Sequence, residues 1–202
     1  MANEWHERFL SETYIYGKAP NTFVTDIVDK LPAGGNVLCI AEGEGRNAVY
    51  LAKQGFSVTA WDYAQSGLDK TKTLAEEHGV HVETALRDLE DVEWGTEQWD
   101  AIVHIFGHVP EPILQRTFKG INQALKVGGY YVSEMYTKEQ LRYGTGGPPV
   151  ASMLIDPKMI LEAFESYFFA HFYIGEVTRY EGVLHTGRAH VVQSLLKKRL
   201  DE

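Results

Sequence analysis

Residues 37–47 read Val-Leu-Cys-Ile-Ala-Glu-Gly-Glu-Gly-Arg-Asn, an apolar strand running into a turn with two glycines one residue apart, where a helical pattern begins. This junction restricts the chain to folds in which the end of a strand opens onto a ligand crevice. Gly43 and Gly45 have no side chain to obstruct a bound molecule, and glycine takes positive φ at little cost. The first turn of the next helix adds unpaired N–H groups facing the same crevice. A nucleotide-like cofactor is the natural occupant.

Strand and helix patterns alternate through the first two-thirds of the chain. After the apolar run 36–40 and a helix over 46–54, strands are expected over 57–61, 81–85, 100–105 and 130–135. Helices are expected from residue 65 or 66 to 78 and over 111–125, the latter ended by Gly128 and Gly129. A fourth helix is expected over 157–166. The strands at 168–180 and 184–196 flank a short loop containing Gly182, which predicts a hairpin. The fold class is therefore α/β: a Rossmann-like, seven-stranded, mostly parallel sheet with helices on both faces and a C-terminal antiparallel hairpin. At 202 residues it reads as one domain. Residues 1–30 form an N-terminal lid and substrate segment, 36–136 the cofactor-binding core, and 137–202 the substrate side with the hairpin. In such sheets ligands bind beyond the carboxyl ends of the strands, where strand order reverses. Glu42, Asp62, Asp88 and His108 all follow strand ends.

The formal charge of −9 argues against a phosphate-backbone partner, so no nucleic acid is expected. Cys39, the only cysteine, lies inside the first strand and reads as a structural thiol in a cytoplasmic protein. The polar, acidic N-terminus is unlike a signal peptide, and no apolar run is long enough to span a bilayer. No metal site is expected: His104 and His108 are four apart on a strand and loop, and no second cysteine exists. Oligomeric state is not readable.

Gly43-x-Gly45-x-x-Ala48 formally matches a dinucleotide fingerprint, with Asp62 near the expected acidic position. Glu42 and Glu44, however, put carboxylates where a pyrophosphate would sit. Asp88 offers an acceptor for an adenine amino group. Acids at the turn suit the cationic amino-acid part of S-adenosyl-L-methionine, which carries no phosphate. The rival readings are an NAD(P)-dependent oxidoreductase and a non-catalytic protein that binds S-adenosylmethionine or S-adenosylhomocysteine.

The glycine turn, Asp62, Asp88 and Lys126-Val-Gly-Gly129 together resemble a class I S-adenosylmethionine-dependent methyltransferase. Tyr16-Gly-Lys-Ala-Pro-Asn21, the stretch from Gln140 to Pro148 and the stretch from Glu181 to Gly187 extend the resemblance to the small tellurite-resistance-type branch. Two departures stand out: Ala41 replaces the acid two residues before the first glycine, and Asn47 replaces the third glycine. The resemblance implies methyl transfer to a small-molecule acceptor, with a soft nucleophile such as a thiol or chalcogen oxyanion suggested. It implies that Gly43 and Gly45 admit the methionine part and that Asp62 accepts both ribose hydroxyls. Asp88 and the Leu89 N–H take the adenine, and Tyr63 and Phe106 complete the cofactor set. The ammonium contact is left among Glu42, Glu44 and a backbone carbonyl, with Asn47 beside them. His108 is the candidate general base, its plain alternative being a histidine that holds a loop. Tyr16, Glu134, Tyr136 and His185 are candidates for acceptor contact. Tyr14, Tyr16 and Phe23 are candidates for a lid.

Overall fold

The computed structural model describes residues 3–199. Its seven-stranded sheet has the order β3-β2-β1-β4-β5-β7-β6. The strands are β1 (Asn36–Ile40), β2 (Ser57–Asp62), β3 (Glu83–Leu86), β4 (Trp99–Ile105), β5 (Leu125–Tyr136), β6 (Phe168–Glu181) and β7 (His185–Lys197). The first five run parallel, while β7 runs antiparallel to β5 and to β6. The helices are α1 (Glu4–Phe9), α2 (Thr22–Ile27), α3 (Arg46–Lys53), α4 (Gln65–Glu77), α5 (Glu111–Ala124) and α6 (Pro157–Ala163).

Central β1 is apolar throughout because both faces of a parallel sheet are covered. Val37 and Cys39 point into one core layer with Val24, Leu51 and Leu74. Leu38 and Ile40 point into the other with Trp61, Phe118 and Phe164. Cys39 is buried, and burial pushes its thiol well above the ordinary range. Strand order reverses between β2 and β4, on either side of β1, so the crevice opens at the carboxyl end of β1.

One boundary departs from the sequence reading. Helix α5 stops at Ala124 and the chain passes directly into β5, so Gly128 and Gly129 lie within the strand. Gly128 has a φ of 80° beside a register shift between Trp99 and Ala101, and a side chain at Gly129 would come within 2.9 Å of the Lys126 carbonyl. The glycines make a bulge rather than a helix stop.

Candidate functional site

The Asp62 carboxylate at the end of β2 accepts the Gly43 N–H and the Ala64 N–H, each at 2.8 Å. It is 6% exposed, and burial raises its pKa to about 6 against the opposing pull of those N–H groups. Glu42 Oε1 accepts the N–H groups of Asn47 and Ala48 at 2.8 and 2.9 Å. The first turn of α3 is thus capped by a carboxylate from its own chain, and burial pushes that carboxyl up to about 7. Neither acid has a salt-bridge partner among the described residues. Gly45 is required by two constraints at once: its φ is 89°, and a Cβ there would come within 2.7 Å of Thr71 on α4. Ala41 also takes a positive φ, 48°, in the left-handed region.

Tyr63 lies between the two acids expected to face the nucleoside part. Burial, then Asp62 and Asp88, push its phenol up to about 12. Asp88 is exposed past β3, where its Oδ1 accepts the Glu90 N–H. The Leu89 side chain belongs to the core beside Trp61 and Trp94.

Two of the expected cofactor-binding side chains, Glu44 and Asn47, make contacts within the protein. Glu44 is buried, accepting the Ile15 and Tyr16 N–H groups at 2.8 and 3.3 Å and pairing with Lys70 at 2.7 Å. It clasps the N-terminal segment to the turn. The Asn47 side chain likewise accepts the Asn21 N–H. Helix α1 packs on α4, and a Cβ at Gly43 would lie 3.2 Å from the Phe9 ring. Tyr14 donates its hydroxyl to the Lys70 carbonyl, whereas Phe23 is simply a core residue. Of these three residues, Tyr16 alone packs against His185.

Glu134 also differs from its expected place on the acceptor wall. Fully buried on β5, it binds Arg179 through both oxygens at 2.8 and 2.6 Å, and it accepts from Gln193 and Asn21. Glu181 pairs with Arg46 at 2.6 Å and accepts from Asn21 at 3.0 Å. Two arginines and two glutamates therefore tie α3, β5, the β6–β7 hairpin and the N-terminal segment together. No periodicity in the sequence marks this network; only the quoted stretches around Asn21 and Glu181 pointed toward it.

An aromatic chamber stands at the ends of β4 and β5. Phe106 has a φ of 52° and stacks on Tyr136 at 4.4 Å between ring centres. His185 packs against Tyr16 at 4.5 Å, Phe106 at 4.7 Å and Tyr136 at 5.3 Å. Tyr136 Oη and His185 Nδ1 are buried and lack any hydrogen-bond partner among the described residues. Burial, then Arg46 and His108, lower His185 to about 3, and burial raises the Tyr136 phenol strongly. His108 is placed differently from a base: Nδ1 donates to the Met153 carbonyl and Nε2 accepts the Tyr136 N–H. Both ring nitrogens are occupied, and burial lowers its pKa to about 3. The ring thereby links the loop at Met153 to the end of β5. His104 bonds the Gly107 carbonyl and Tyr131, and among the described residues no cluster of three or more potential ligands is gathered for a metal.

Residues 37–129 match a protein family described as a methyltransferase domain. The chain is 29% identical over 109 residues to a probable S-adenosyl-L-methionine-dependent methyltransferase, TehB, of Haemophilus influenzae. The crystal structure of H. influenzae TehB superposes with a TM-score of 0.68 at 22% identity, covering 87% of this chain and 62% of that one. Residues 37–129 thus match a methyltransferase domain, and the chain is similar to S-adenosylmethionine-dependent methyltransferases. A Coxiella burnetii ubiquinone biosynthesis O-methyltransferase is likewise similar, 32% identical over 98 residues. The match covers 52% of this chain and 38% of TehB, and 48% and 41% for the Coxiella protein.

The family's cofactor suits the residues present. A buried Asp62 and a half-buried Glu42, neither in an ion pair among the described residues, fit a ligand that brings an ammonium and hydroxyls. Glu42 already occupies the Asn47 and Ala48 N–H groups, and its carboxylate stands where a pyrophosphate would need those donors. Among the described residues no helix is long and apolar enough to cross a membrane.

Proposed function

We propose that this chain transfers a methyl group from S-adenosylmethionine to a small-molecule acceptor in the aromatic chamber, the acceptor being a soft nucleophile, a thiol or a chalcogen oxyanion. The observation that carries the reading is a buried Asp62 at the end of β2 and a half-buried Glu42 at the start of α3, neither held in a salt bridge among the described residues. When bound, the cofactor supplies a methyl group on a positively charged sulfur. Asp62 is held by Gly43 and Ala64 while its remaining lone pairs serve ribose hydroxyls. Glu42 is the countercharge for the ammonium, and Tyr63 and Asp88 form the adenine side. Helix α1 and the clasp between Glu44 and residues 15–16 exclude water from the crevice.

The chamber contributes alignment rather than proton transfer. His108 and His185 are held neutral far below their ordinary range, and Tyr136 keeps its proton. No chamber group exchanges protons near neutrality, which favours an acceptor that arrives already anionic. The Coxiella relative's name records O-methylation; a hydroxyl acceptor would need a base, and this chamber offers a poor one.

The test is incubation with methyl-labelled S-adenosylmethionine and a panel of thiols, selenite and phenols. Label transfer to thiols or selenite supports the reading. Tight S-adenosylhomocysteine binding with no transfer to any panel member would identify a binding protein instead.

A further inference from the structure

Residues 144–147 form a thin wall between the Tyr136–His185 pair and an open groove. Inside it, a Cβ on Gly146 would lie 3.0 Å from Tyr136 Oη and 2.9 Å from the His185 ring, so only glycine lets the wall approach both unpartnered groups. Gly147 lies equally close to the Tyr136 ring, at 2.6 Å from the position its Cβ would take. Outside the wall is an open groove of about 510 Å³. It is lined by Leu141, Pro148, Pro149, Val183 and Leu184, with Gln140, Thr145 and Thr186 as polar edges. No charged side chain lines it, although the chain carries 47 charged residues, 28 acidic and 19 basic. Leu141 and Val183 are 47% and 68% exposed, more than isolated surface apolar residues require when they share one groove. The volume falls within the range of small-molecule sites, roughly 300–1,000 Å³.

We infer that the methyl acceptor is an organic molecule with an uncharged, largely apolar body, which lies in this groove and passes its reactive end beneath Gly146 to Tyr136 and His185. This rests on the proposed methyl transfer and narrows it: a bare inorganic oxyanion has nothing to place in the groove. The Tyr136 hydroxyl donates to the nucleophilic atom or a neighbouring oxygen, which gives that hydroxyl the partner it lacks. For a thiol, the proton leaves to water before entry. The thiolate lone pair then forms the new carbon–sulfur bond, and the broken bond's electron pair returns to the cofactor sulfur, which becomes neutral.

The test uses straight-chain alkanethiols from ethanethiol to octanethiol, with selenite as the inorganic contrast. Burial of each methylene predicts that kcat/KM rises roughly fourfold per added carbon until the groove is filled. The double variant Leu141→Asp, Val183→Asp changes two exposed positions, so it should fold and bind S-adenosylhomocysteine as before while the chain-length slope flattens. A second readout needs no chemistry: calorimetric titration of 1-octanol and ethanol into the S-adenosylhomocysteine complex should show octanol binding, lost in the double variant. Thiol methylation with no chain-length dependence, or a slope unchanged by the aspartates, would overturn the inference while leaving the methyltransferase reading intact. Octanol binding without methylation of any acceptor would do the reverse. Failure of octanol to bind overturns the groove assignment outright.

Discussion

Asp62 accepts the Gly43 N–H at 2.8 Å, so the end of β2 and the glycine turn share one buried carboxylate. This bond fixes the position of the acid before any ligand arrives. A charge-assisted hydrogen bond is worth about 1.5–3 kcal/mol, and the proposed site gives Asp62 two further ones to ribose. Asp62→Ala should therefore weaken S-adenosylhomocysteine binding by at least roughly tenfold in calorimetry. An unchanged affinity would remove Asp62 from the cofactor site.

The raised pKa values of Glu42 and Asp62 set a pH dependence with a definite sign. Each carboxyl titrates higher in the folded chain, about 7 and about 6, than its ordinary 4.5 and 3.8. Their protonated forms favour folding, so this contribution is full below about pH 4 and is lost as pH rises through 6 to 7. The ligand-free protein should lose Tm over that window relative to the double variant Glu42→Gln, Asp62→Asn. S-adenosylhomocysteine, bringing an ammonium, should offset the loss and bind more tightly at the higher pH. Scanning calorimetry at about pH 5.5, 6.5 and 7.5 checks both; parallel profiles for protein and variant would contradict the assignment.

Glu134 is expected to matter for folding rather than for chemistry. Glu134→Ala leaves Arg179 buried without its bidentate partner, at a cost of about 3–5 kcal/mol. Urea unfolding of the variant should show that loss. A variant as stable as the parent would mean that water reaches Arg179 freely.

His108 separates a structural from a catalytic histidine. His108→Gln should cost about 1–3 kcal/mol of stability through its broken loop bonds. The pH profile of kcat should remain unchanged. A loss of kcat of about a hundredfold with an altered profile would restore a base role.

The sheet, its parallel core and the terminal hairpin were legible because each rests on local pattern: apolar runs, glycine stops and a short turn. The bulge at Gly128 was not, because a glycine pair after a helix reads the same whether it ends the helix or kinks the next strand. At the site, Asp62 falls at the strand end its spacing indicated. Glu44 and Glu134 carry the right chemistry for a ligand contact, but their partners, residues 15–16 and Arg179, are brought to them only by tertiary packing. Tyr136 and His185 meet from positions 49 residues apart, and no local signal announces that the wall between them and the groove is made of glycine.

The most direct measurement is calorimetric titration of the protein with S-adenosylhomocysteine and, separately, with NADH. Asp62, buried at the end of β2, and Glu42, which already caps α3, should admit the first and reject the second. NADH binding without S-adenosylhomocysteine binding would contradict the methyltransferase reading of the site.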